Sequence, residues 1–86
     1  MSQLSKLVRF VLSGPSEAGF EDIKRLLEAF DFQEVRSSSS HVIFRHKDGR
    51  MQSVPKKNGR KVKEVYIKQI VKLLSLEDWY YDQEKS

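Results

Sequence analysis

This 86-residue sequence predicts a small α+β fold, a three-stranded antiparallel sheet packed on helices in the order α-α-β-β-β-α. Three observations carry that expectation. Apolar residues recur at helical spacing towards both ends of the chain. Between Phe32 and Val54 the pattern becomes alternating, rich in β-branched and aromatic residues. Within that stretch Asp48-Gly49 separates two extended runs, the pairing that favours a tight hairpin. Three antiparallel strands with helices on one face form a stable two-layer unit, leaving the other face to solvent.

Taken in order, Leu4, Leu7, Val8, Val11 and Leu12 fall on one face of a first helix. Gly14-Pro15 ends it, a left-handed cap followed by a residue that cannot continue it. A second helix is expected from about Phe20 to Phe30, with Phe20, Ile23, Leu26, Leu27 and Phe30 on its apolar side. Glu21 and Asp22 occupy its first turn, where the helix dipole favours negative charge. Phe32–Ser37 reads as the first strand and Ser37–Ser40 as a tight loop. The second strand begins at His41, and the return strand covers roughly Met51–Val54, ended by Pro55. In the second strand Val42 and Phe44 compete with Ile43 for the core. Lys56–Lys61 forms a basic loop around a turn at Asn58-Gly59. The last helix runs from about Val62 to Leu74, its stripe made by Val62, Tyr66, Ile70, Leu73 and Leu74 with Ile67 and Val71 beside them. Leu76, Trp79 and Tyr80 are placed to fold back over the core. One domain is expected over residues 1–86, its core about 4–74, with 75–86 a C-terminal extension. Without the first helix the order is α-β-β-β-α, that of double-stranded-RNA-binding domains.

Composition narrows the function. The chain has no cysteine, which removes thiolate chemistry and fits a reducing compartment. No run approaches the ~18–20 apolar residues of a membrane span. The N-terminal apolar run is broken by Lys6 and Arg9, unlike a secretory signal, so a cytoplasmic protein without a membrane partner is expected. The net charge of +4 is unevenly spread. Ten basic residues lie between Arg45 and Lys72, opposed only by Asp48 and Glu64. Such a block suits a polyanion; it also suits a solvated lysine-rich surface.

Candidates for chemistry are few. There is no G-x-S-x-G, P-loop or dinucleotide fingerprint. His41 and His46, five apart on one strand, lie on opposite faces and cannot share a metal within the chain; neither a metal nor another cofactor is expected. A histidine followed by a basic stretch remains. RNA carries its own nucleophile, the 2′-hydroxyl, so cleavage needs a proton carrier near neutral pH and positive charge for the transition state. A histidine opening a strand is more often a partly exposed structural residue, and pattern alone leaves both readings open.

The stretch Ser40-His41-Val42-Ile43-Phe44-Arg45-His46-Lys47-Asp48-Gly49-Arg50 closely resembles the G-S-H-H-I-F-R-H-x-D-G-R centre of HicA toxins. Phe20–Leu27 and Phe32 upstream are similar to that family's helix and first strand. Val54-Pro55, the basic loop and Tyr66–Ile70 downstream are similar to its closing loop and last helix. The likeness spans about residues 4–74. It implies a metal-independent, ribosome-independent mRNA interferase, a slow endoribonuclease on a double-stranded-RNA-binding-like fold. A HicB-type antitoxin would cover its active site. His41 then corresponds to the catalytic histidine and Ser40 to its companion. Lys56, Lys57, Arg60 and Lys61 fall on the RNA-facing loop, while Arg36 and Arg45 flank the entrance of the His41 strand in sequence. His46 is expected to be an exposed strand-end residue without a role. Two positions depart from the family pattern: Ser39 replaces a glycine, and Val42 replaces the second histidine. A non-catalytic RNA-binding module is the alternative.

Overall fold

In a computed structural model the described residues are 3–38, 40–58 and 60–85. The elements run α1 (Gln3–Leu12), β1 (Glu17–Gly19), α2 (Phe20–Ala29), β2 (Phe32–Ser37), β3 (His41–His46), β4 (Met51–Pro55), β5 (Lys61–Lys63), α3 (Glu64–Leu73) and α4 (Leu76–Lys85). The expected α+β class and the order of its main elements hold, with two additions.

The first addition is a short ribbon. β1 pairs antiparallel with β5, Ala18 opposite Val62, and both of these side chains are buried. Phe20 donates its N–H to Arg60 C=O (2.7 Å) and Glu64 donates to Ser16 C=O (3.0 Å). Strands therefore lead directly into α2 and α3, and the two helices start side by side. Val62, expected in the last helix, is instead the inward residue of this three-residue strand, and α3 begins at Glu64. The second addition is α4. Leu76 is fully buried at its start, and Trp79 packs edge-on against Phe30 (centroids 5.7 Å apart). The fold-back expected of Leu76 and Trp79 is thus a helix.

The main sheet has the order β2-β3-β4, antiparallel throughout. Its inner face contributes Phe32, Val42, Phe44 and Val54 to the core, where they meet Val8, Ile23, Leu27 and Ile67. The competition along β3 is settled for Val42 and Phe44, both essentially unexposed, with Ile43 on the other face. Alternation then puts His41, Ile43 and Arg45 together on the outer face. The hairpin after β3 closes through Gly49 N–H to His46 C=O (2.9 Å), with Gly49 at φ 101°, a conformation that suits glycine. Asp48 completes the turn by accepting from the Arg50 N–H (3.0 Å) and Nε (2.9 Å). No helix among the described residues is long and apolar enough to cross a membrane.

Candidate active site

His41 is exposed at the first position of β3, opposite Pro55 of β4. Its backbone is clasped by Ser38. The Ser38 N–H donates to His41 C=O (2.8 Å), the Ser38 hydroxyl donates to the same oxygen (3.1 Å), and that hydroxyl accepts from His41 N–H (3.1 Å). Lys56 N–H donates to Ser40 C=O (2.7 Å), tying the loop to the end of β4. The Ser40 hydroxyl lies 3.2 Å from His41 Nδ1. If that hydroxyl donates, the ring proton sits on Nε2; if it accepts from Nδ1–H, Nε2 is left as a base. Either way Nδ1 is held by the serine, and Nε2 is left to donate or accept elsewhere.

Strand register sorts the arginines. Arg36 pairs with Ile43, so it occupies the outer face one row from His41, about 6.7 Å along the strand. Arg45 pairs with Gln33 and Met51 two rows away, about 13 Å from His41. The two residues flank His41 in sequence, but the fold brings only Arg36 next to it. This placement depends on an irregularity between Glu34 and Arg36. The extra residue, Val35, is 54% exposed; were it paired with Ile43 in regular register, Arg36 would fall opposite Val42 and alternate onto the inner face. Sequence periodicity gives no sign of that bulge.

The basic loop lies past the same end of the sheet as His41. Lys57, Arg60 and Lys61 are exposed, and Lys57 and Lys61 exchange backbone hydrogen bonds that close the turn. Asn58 takes φ 53° there, as a turn asparagine can. Lys56 differs: its ammonium sits 4.7 Å from the Phe20 ring centroid, towards the helices. Other members of the basic block are also engaged. Arg50 pairs with Asp48, lies over Phe32 and donates to Leu73 C=O (3.3 Å). Lys68 pairs with Glu64 (3.7 Å).

His46 is not the exposed residue expected. Its side chain is mostly buried, packed edge-on against Phe32 (5.1 Å). Its Nδ1 lies 3.0 Å from both the N–H and the carboxylate of Asp48. One nitrogen serves one of these at a time. The amide hydrogen is fixed and aimed at the ring, so the neutral ring closes the turn. Of the two residues where the family pattern departs, the structure places one. Val42 is buried opposite Val54, so a histidine there would face the core and the change concerns packing. Ser39 lies outside the described residues.

Two grooves lie away from His41. One of about 470 Å³ is lined by Glu28, Asp31, Gln33, Arg45 and Lys47 at the far end of the sheet. Another of about 530 Å³ runs between α1, α3 and α4. Among the described residues no three His, Cys, Asp or Glu side chains gather as metal ligands.

The serine clasp was legible in the sequence only as a tight loop of four serines, Ser37–Ser40. The structure uses Ser38 on the histidine backbone and Ser40 on its ring. No curated protein and no solved structure matches the chain. A protein-family model, described as the HicA toxin of bacterial toxin–antitoxin systems, matches residues 20–76, from α2 to the first residue of α4. With more than half of its length matched and the expected order of elements in place, the chain belongs to the HicA toxin family of bacterial toxin–antitoxin systems.

Proposed function

We propose that this toxin is a cytoplasmic mRNA interferase, an endoribonuclease that needs neither ribosome nor metal. The observation that carries the reading is the exposed His41 ring, held at Nδ1 by Ser40 one row from Arg36. In the reaction the 2′-oxygen attacks the adjacent phosphorus and the 5′-oxygen leaves, producing a 2′,3′-cyclic phosphate and a 5′-hydroxyl. His41 takes the proton from the 2′-hydroxyl or delivers one to the leaving oxygen, work that contributes about 10²–10⁴-fold. The Arg36 guanidinium offsets the charge that builds on the phosphoryl oxygens. Lys57, Arg60 and Lys61 hold the backbone without reading sequence, with Lys56 contributing from the base of the loop. A HicB-type antitoxin neutralises the toxin by covering this face.

The competing reading is a module that binds RNA and does no chemistry. The α2-β2-β3-β4-α3 core and its exposed basic loop favour it. Incubating parent and His41→Ala protein with single-stranded RNA in excess chelator separates the two. Cleavage by the parent alone supports the nuclease. Salt-sensitive binding to duplex with every RNA left intact supports the module.

A further inference from the structure

On the outer face of the main sheet, strand register sets three rows side by side. The first holds His41 and Pro55, the second Arg36, Ile43 and Ser53, the third Gln33, Arg45 and Met51. None of these residues is acidic. The face is also not simply basic: Met51 is 56% exposed beside Arg45, and Ile43 is half-buried between the two arginines. Double-stranded nucleic acid presents phosphates with its bases paired away, so apolar side chains gain nothing from it. Unpaired bases have apolar faces that cover such side chains and stack on guanidinium planes. Rows that alternate cations and apolar groups with no acid among them therefore complement a single strand better than a duplex, although Glu28 and Asp31 share a groove with Arg45 at their far end.

We propose that the outer face of β2-β3-β4 is the track of single-stranded RNA, running from His41 to a base-binding subsite at Arg45 and Met51. This rests on the nuclease reading for its starting point, the phosphate cut at His41. The span from His41 to Arg45 is four strand residues, about 13 Å. That length takes about four nucleotides at the stacked rise of 3.4 Å, and fewer if they are splayed. Arg45 is thus a specificity subsite, not a partner in bond cleavage.

The test uses ¹⁵N-labelled full-length His41→Ala protein titrated with an eight-nucleotide single-stranded RNA. Amide shifts at Ile43, Arg45, Met51 and Ser53 are expected, with weaker effects from a duplex of the same sequence. In the active parent background, Arg45→Gln and Met51→Gln should each raise KM for an eight-nucleotide substrate about tenfold. They should leave kcat and dinucleotide cleavage unchanged. Both side chains are exposed, so folding is not at stake. Shifts confined to Lys57–Lys61 and α3, or equal response to duplex, would overturn the track even if the parent cleaves RNA. Shifts along the face with a parent that cleaves nothing would support the track and remove the nuclease. A face indifferent to RNA but protected by an acidic partner protein would overturn it as a protein-docking surface.

Discussion

Replacing Ser40 with alanine separates ring orientation from the presence of the ring. In the structure the hydroxyl lies 3.2 Å from His41 Nδ1, on an exposed part of the site. A hydrogen bond of this kind contributes about 0.5–1.5 kcal/mol net. If it acts mainly by holding the ring in place for the transition state, its loss lowers kcat by about 2–13-fold. The alanine removes no phosphate contact from the loop, so KM should hold within twofold. Surface changes of this size move stability by no more than about 0.5 kcal/mol, which thermal unfolding checks independently. Single-turnover cleavage of a labelled oligonucleotide gives the chemical step directly. Ser40→Thr, which keeps the hydroxyl, should recover most of the rate. A Ser40→Ala protein as fast as the parent would refute the orienting role. One as slow as His41→Ala would show that the hydroxyl itself takes part in the chemistry.

Three further outcomes follow from the geometry. Arg36→Ala should lower kcat about 10²-fold, the scale of losing one transition-state donor, whereas Arg45→Ala should act on KM; steady-state kinetics of the two distinguish neighbour from distant row. Phe44→Ala empties a fully buried site beside Phe20 and should cost about 3–5 kcal/mol. At about 4–8 °C per kcal/mol for a domain of this size, calorimetry should record a Tm lower by at least ~12 °C. The Asp48 carboxyl is held below its ordinary value, first by the hydrogen bond from Arg50 N–H and further by the hydrogen bond and charge of the Arg50 side chain. Its contribution is therefore present above the ordinary carboxylate range and fades as pH falls through the depressed value. Asp48→Asn should be less stable than the parent at neutral pH, and the gap should close in denaturant titrations repeated below about pH 4.

What the sequence revealed was set by periodicity and local turn chemistry. The alternation in Phe32–Val54 and the Asp48-Gly49 pair locate β2, β3, β4 and the hairpin because strand faces and turns are local properties. The stripes of α1 and α2 are legible for the same reason. The β1–β5 ribbon is not, because each strand is three residues long and exists through pairing across more than forty residues of chain. In α4 the run Leu76–Lys85 is largely polar, and Leu76 and Trp79 hold it to the core through contacts made elsewhere in the chain. At the site, His41 and Ser40 were visible as a motif. The place of Arg36 beside them was not, because one bulged residue in β2 decides whether that arginine reaches the outer face. His46 escaped for a related reason: its burial depends on which side of β3 meets the helices.

The most direct measurement is the end chemistry of cleaved RNA made by purified parent and His41→Ala proteins, with both shown to be folded by their thermal unfolding. A proton-transferring His41 predicts 2′,3′-cyclic phosphate and 5′-hydroxyl ends from the parent, with the variant slower by about 10²–10⁴-fold. Equal rates from the two proteins, or cleavage leaving 5′-phosphate ends, would contradict it.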